Sequence, residues 1–343
     1  MATGKYKYSL NAATKRFLKM YHAPKKRAPV VTLEEKRAGY SGLLKNFGLK
    51  LSADVKANVR TERIAVPSRS NKRDIPCIAY FPQTHEGRLP IMLYAHGGGW
   101  TLGTPLDYHN FLQTCCRKIG AVCVSVDYRL SPEHKFPAAI EDFYDVFEWV
   151  ASGRSSSTLH HLVDNESIAL AGDSAGGNIA AVCSLMARDS IYARNIKVQA
   201  PLCGAFDLSN MSTKSHAAFG SDYFLTSEAM LEFRDNYTSS NAPEIWDDWR
   251  VSPIKASSFD NLPPAWIAVA SHDPLISEGV AYGKALQRSA NNSDDAVVKT
   301  YPGMHIFWML EGVAGTADCH AFLDDFSNAM KQRLFATSQQ SRL

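Results

Sequence analysis

The chain has 343 residues, 45% of them hydrophobic, and a net charge of only +3. That length allows one large α/β domain, or two small ones sharing a core. The near-neutral charge gives no signal for nucleic acid, and no uninterrupted apolar run is long enough to span a bilayer or form a signal-peptide core.

The charge is unevenly spread. Lys5, Lys7, Lys15, Arg16, Lys19, Lys25, Lys26 and Arg27 all precede the first acid, Glu34, which leaves the rest of the chain net acidic. A cytoplasmic protein is the expectation, with a transit peptide or membrane-surface helix in residues 1–33 left open. Cys77, Cys115, Cys116, Cys123, Cys183, Cys203 and Cys319 are odd in number and sit in apolar surroundings, so buried thiols are expected rather than a disulfide frame. No paired metal-ligand spacing occurs. Sequons at Asn165, Asn210, Asn236 and Asn291 matter only for a secreted chain.

Residues 1–60 read as two helical patches, around Leu10 to Tyr21 and Leu33 to Phe47. Neither can bury its apolar face alone, so the segment is expected to fold over the main domain, 61–343, as part of a cap. Strands begin near Arg63 to Val66 and continue at Cys77 to Phe81 and Ile91 to Ala95. His96-Gly97-Gly98-Gly99-Trp100 follows at once. Three glycines in a row suit a backbone that must approach a ligand oxygen without a Cβ in the way.

Another buried strand, Ala121 to Val126, leads into Asp127-Tyr128-Arg129-Leu130-Ser131-Pro132-Glu133 and a helix starting near Ala138. Arg129 and Glu133 are expected to pair and fix this loop, and His134 to lie at the surface. Glu166 to Ala171 reads as a strand and Asn178 to Ala187 as a helix, with Gly172-Asp173-Ser174-Ala175-Gly176-Gly177 at the turn between them. Such a turn strains the serine backbone, exposes its hydroxyl at the carboxyl edge of the sheet and sets it at a helix N-terminus. A further strand runs from Val198 to Leu202. Residues 206–249, rich in Ser, Asn and Tyr, then interrupt the alternation and read as a cap insertion with a helix near Ser227 to Tyr237. Phe219, Tyr223, Phe224, Met230 and Phe233 would give it an apolar underside, although ordinary packing explains them equally well. Strands at Ala265 to Ala270 and Ala296 to Tyr301 follow, with a helix from Ser277 to Ser289 between them and a last one over 317–335.

A serine hydroxyl needs a base to take its proton during attack, and an imidazole in turn needs a carboxylate to fix its tautomer. Ser174, Asp273 and His305 each follow a predicted strand, which brings them to one sheet edge as nucleophile, orienting acid and base. The alternatives are weaker: His272 would project to the opposite side of an extended backbone, His320 lies in the last helix, and His160 and His161 lie in a polar loop. Asp142 and Asp318 are not at strand ends, and Asp173 is expected to face away from the imidazole.

These residues resemble the hormone-sensitive-lipase-like branch of α/β-hydrolase esterases. The likeness covers about residues 75–310 and rests on His96-Gly97-Gly98-Gly99, Asp127 to Glu133, Gly172 to Gly177, Ser252-Pro253, Leu262-Pro263-Pro264 and Asp273-Pro274-Leu275. It implies an α/β-hydrolase fold with a predominantly parallel sheet and a helical cap. It also implies Ser174, His305 and Asp273 as a catalytic triad, and the N–H groups of Gly98, Gly99 and Ala175 as an oxyanion hole. The implied reaction is hydrolysis of a small or short-acyl ester, without metal or organic cofactor. Trp100, with Phe219, Tyr223 and Phe224, would bind a bulky apolar group of a natural-product or xenobiotic ester. Arylformamidases, non-hydrolytic cyclases or transferases, and receptors lacking the histidine share the scaffold and remain open, as does a homodimer. One departure stands out. Gly303-Met304-His305 is a residue shorter than usual in the family, with Ile306 where glycine is frequent, and a one-residue shift would displace the imidazole by a few ångströms.

Overall fold

Strands that are apolar at successive positions are suited to burial on both faces of a sheet. The computed structural model describes residues 9–22, 31–70, 72–154, 157–239, 243–289 and 295–336; Lys5, Lys7, Lys25, Lys26, Arg27 and Asn291 lie outside the described residues. Its strands are β1 (Val59–Pro67), β2 (Asp74–Pro82), β3 (Leu89–Ala95), β4 (Val122–Val126), β5 (Val163–Asp173), β6 (Ile196–Leu202), β7 (Ala265–His272) and β8 (Ala296–Met304). They form one sheet in the order β1-β2-β4-β3-β5-β6-β7-β8, antiparallel over β1, β2 and β4 and parallel from β4 onward. The wholly apolar runs are the central strands, as their composition requires.

The N-terminal helices are α1 (Ala12–Tyr21), α2 (Leu33–Phe47) and α3 (Ala53–Asn58), the last not foreseen from sequence. Those that follow are α4 (His109–Ile119), α5 (Ala138–Ala151), α6 (Ser157–Leu162), α7 (Ala175–Ala187), α8 (Lys214–Phe219), α9 (Ser227–Thr238), α10 (Ile276–Arg288), α11 (Glu311–Ala314) and α12 (Thr316–Leu334). Alternation along β3 divides the core. Met92 and Tyr94 pack with α4 and α12, whereas Ile91, Leu93 and Ala95 pack with α5 and α7. The N-terminal helices are tied to distant parts of the chain: the Thr14 hydroxyl donates to the Val313 carbonyl at 3.1 Å, and a ring nitrogen of His22 lies 2.9 Å from the Tyr223 carbonyl.

Two sequence expectations need correction. Arg129 does not pair with Glu133 but forks onto the buried Asp142 carboxylate, with its Nη2 2.8 Å from Oδ1 and its own N–H 2.9 Å from Oδ2. Glu133 instead receives both terminal nitrogens of Arg37, at 2.7 Å each. A bidentate partner from a helix 96 residues upstream was not visible in the local spacing. His160 and His161 belong to α6, not to a loop. All seven cysteines are buried and free, and His134 is exposed. Among the described residues no helix is long and apolar enough to cross a membrane.

Two buried carboxylates generate predictions. Asp142, with only 1% of its side chain exposed, also meets Arg73; Asp142→Ala removes the acceptor that these two part-exposed guanidinium groups share, and a thermal melt is expected to show a loss of about 1–3 kcal/mol. Glu278 accepts the N–H groups of Phe206 and Asp207 behind β6, and burial, opposed by those two bonds, pushes its carboxyl up to about 8. Its folded pKa therefore exceeds the unfolded one, so the contribution is complete below the unfolded value and is lost as pH rises through about 8. Melts of wild type and Glu278→Gln from about pH 5 to about pH 9 are expected to show wild type losing stability relative to the variant; parallel curves would contradict this.

Candidate active site

Ser174 sits between β5 and α7 at φ +56° and ψ −120°, a left-handed conformation that costs a non-glycine residue about 1–3 kcal/mol. Its N–H donates to the Leu202 carbonyl at 2.8 Å and its carbonyl accepts from Asn178 N–H at 3.1 Å, so β6 and α7 hold the strained turn. A Cβ on Gly172 would lie 2.3 Å from the Gly176 carbonyl oxygen, and one on Gly176 2.0 Å from that of Ala95. The two glycines are thus required by close backbone approach.

His305 follows β8 directly. Its Nε2 is 2.9 Å from Ser174 Oγ and its Nδ1 is 2.7 Å from Asp273 Oδ2. The shortened turn does deliver the imidazole, and Ile306 supplies the bend by adopting φ +50°, where a glycine would be unstrained. Asp273 is fully buried at the end of β7, and its other oxygen accepts the Leu275 N–H at 2.9 Å. A carboxylate against Nδ1 keeps the proton on that nitrogen and leaves the Nε2 lone pair facing the serine hydroxyl. Cys203 Sγ lies with Asp273 and His305 in a group whose ligand atoms fall within 4.8 Å of one another, the geometry of a candidate metal centre. The atoms are already committed: Asp273 to His305, and the thiol, pushed well up by burial and by Asp273 beside it, to remaining protonated.

The glycine loop approaches from β3. Gly98 and Gly99 have φ of +114° and +60°, and the Gly98 carbonyl closes the turn by accepting from Thr101 and Leu102 N–H at 3.1 and 2.8 Å. Among the described residues, none of the N–H groups of Gly98, Gly99 and Ala175 donates to a main-chain acceptor. His96 is a strut: burial pushes its pKa down to about 4, so it stays neutral, and Nδ1 donates to the Gly97 carbonyl at 2.8 Å. Asp173 is engaged elsewhere, accepting from Tyr94, Tyr108 and Gly97.

Two cavities flank Ser174. One, of about 110 Å³, is bounded by His305, Gly98, Ile306, Tyr21, Tyr40 and Phe224. The other, of about 30 Å³, is bounded by Trp100, Ala175, Leu208, Met211, Met230 and Glu278. Phe233 borders both. Of the aromatic residues singled out in the sequence, Trp100, Phe224 and Phe233 reach these walls. Phe219 and Tyr223 do not: their rings pack on His272, with centroids 5.4 and 5.7 Å away. His272 itself bonds Ser271 Oγ at 2.8 Å, and His320 lies 3.6 Å from Glu311. Tyr21, Tyr40 and Glu278 were not found from sequence. Glu278 sits five residues beyond Asp273 on the first turn of α10, and that short spacing was the one available signal.

Residues 92–310 match a family model described as the alpha/beta hydrolase fold. Carboxylic ester hydrolase LipN of Mycobacterium tuberculosis is 37% identical over 64% of this chain, an alignment spanning 58% of LipN. Carboxylesterase NlhH of the same organism is 32% identical over 78% of this chain and 74% of its own length. Among solved structures, a hyperthermophilic esterase from the archaeon Pyrobaculum calidifontis matches with a TM-score of 0.82 at 33% identity, covering 94% of this chain and 98% of that one. A thermostable esterase from Pseudomonas putida matches with a TM-score of 0.82 at 27% identity, covering 95% and 98%. On this evidence of sequence and fold together, the chain belongs to the α/β-hydrolase family, in its hormone-sensitive-lipase-like branch of esterases.

Proposed function

We propose that the protein is a serine carboxylic-ester hydrolase acting on small or short-acyl esters through a covalent acyl-enzyme. The observation that carries this reading is the proton path from Ser174 Oγ to His305 Nε2 at 2.9 Å, backed by Asp273 at 2.7 Å. Attack forms a bond from Ser174 Oγ to the ester carbonyl carbon while the hydroxyl proton passes to Nε2. The N–H groups of Gly98, Gly99 and Ala175 receive the negative oxygen, each such donor being worth about 3–4 kcal/mol of barrier. Asp273 offsets the positive imidazolium. Collapse breaks the ester C–O bond, and Nε2 returns its proton to the departing alkoxide, giving the free alcohol. Water then repeats the sequence on the acyl-enzyme, releasing the acid and restoring Ser174.

The proton donor fixes which cavity takes which half of the substrate. The leaving alcohol must lie beside Nε2, so it occupies the cavity bounded by His305, Tyr21, Tyr40 and Phe224. The acyl group then points to the smaller, apolar-walled space bounded by Trp100, Met211 and Met230. Trp100 is braced for this by a stack on Tyr237 at 4.3 Å. Residues 1–60 and the insertion over 206–249 act as the cap, a role supported by the presence of Tyr21, Tyr40, Phe224 and Phe233 on these walls.

Ser174→Ala is expected to reduce hydrolysis of p-nitrophenyl acetate to the uncatalysed background with folding unaffected, and Asp273→Asn to lower kcat by roughly 10³–10⁴. Steady-state kinetics on the two variants checks both; full turnover by Ser174→Ala would overturn the assignment.

A further inference from the structure

Helix α2 meets the glycine loop along one face. Arg37, Tyr40 and Ser41 are spaced i, i+3 and i+4 and so project together. Arg37 Nε donates to the Thr101 carbonyl at 2.9 Å and Nη2 to the Ser131 carbonyl at 3.2 Å. Ser41 Oγ donates to Asp107 Oδ2 at 3.0 Å. Between them the Tyr40 hydroxyl lies 2.9 Å from that of Tyr108.

Counting protons gives this contact a direction. The Tyr108 hydroxyl has one proton, and it goes to Asp173 Oδ2 at 2.9 Å. Its oxygen must therefore accept from Tyr40. The same oxygen and Asp173 Oδ1 share the Gly97 N–H, at 3.0 Å each, while the Tyr94 hydroxyl donates to Oδ1 at 2.8 Å. The chain thus runs from the N-terminal helix through two phenols and a buried carboxylate to the first glycine of the loop. Its fit is close: a Cβ on Gly97 would fall 2.3 Å from Asp173 Oδ2 and 2.8 Å from the Tyr108 hydroxyl, and one on Gly103 would fall 3.3 Å from the Tyr40 ring. Burial pushes Asp173 up to about 6, the phenol and amide donors opposing it, so the carboxylate depends on those donors in place of water.

We propose that Tyr40 is a positioning residue for the oxyanion donors: docking of α2 completes the hydroxyl chain that fixes Gly97, and with it the N–H groups of Gly98 and Gly99. This rests on the esterase reading of those donors. A helix remote in sequence is then a working part of the site, acting on the hole through the Tyr40 hydroxyl.

Tyr40→Phe keeps the ring that lines the cavity and removes only the hydroxyl. In the full chain it is expected to lower kcat for p-nitrophenyl acetate roughly tenfold with KM changed less than about twofold. Affinity for a trifluoromethyl ketone, whose adduct with the serine places a negative oxygen in the hole, is expected to fall in parallel. Tyr108→Phe breaks the same chain one link further in and should show the same signature. Ser41→Ala removes a seat contact outside the chain, and is expected to lower the melting temperature and leave kcat unchanged. Wild-type kcat and ketone affinity in Tyr40→Phe, a change confined to KM, or an equal loss of kcat in Ser41→Ala would each overturn the proposal. An active Ser174→Ala would overturn the esterase reading beneath it, so the two failures are distinguishable.

Discussion

Gly176 lies so near the end of β3 that a Cβ there would fall 2.0 Å from the Ala95 carbonyl oxygen and 2.7 Å from that of His96. The rest of the site depends on this approach. It pins the first turn of α7, and with it Ser174, against the strand that runs straight into the glycine loop. Ser174 and the glycine loop are therefore brought together by one packing contact. The positive φ of Ser174 is a local cost of order 1–3 kcal/mol, and the hydrogen bonds from β6 and from Asn178 keep the turn from relaxing.

Buried acids show a second regularity. Asp142, Asp173, Asp273 and Glu278 are all buried near this edge of the sheet or behind it, and each is tolerated because fixed donors replace water. Guanidinium groups serve Asp142, phenols and an amide serve Asp173, and two main-chain amides serve Glu278. Asp273 alone of the four accepts a hydrogen bond from an imidazole. Three of these carboxylates hold loops in place, and the fourth holds a group able to carry a proton.

Much of this was legible because its causes are local. Unbroken apolar runs mark the central strands, and a reactive residue placed just after such a run belongs at the carboxyl edge. That reasoning reached Ser174, Asp273 and His305 from strand ends and spacing. Where partners are remote it failed. Arg129 was matched to Glu133 four residues away, whereas the stronger geometry joined Arg129 to Asp142 and Glu133 to Arg37. Phe219 and Tyr223 look like cavity residues by composition, but composition does not reveal that their rings pack on His272. Tyr40 reads as one more tyrosine on an amphipathic helix, and its role requires knowing where that helix docks. The short turn before His305 was the opposite case: counting residues suggested displacement, and the imidazole still lies 2.9 Å from Ser174 Oγ.

The central claim is that Ser174 is a nucleophile activated by His305, and covalent labelling tests it without assuming the natural ester. The full chain would be treated with a p-nitrophenyl alkylphosphonate, its intact mass measured and the adduct mapped by peptide. One phosphonyl group per chain is expected, on Ser174, with labelling strongly slowed in His305→Ala. A label on another residue, or equal labelling rates in wild type and His305→Ala, would contradict it.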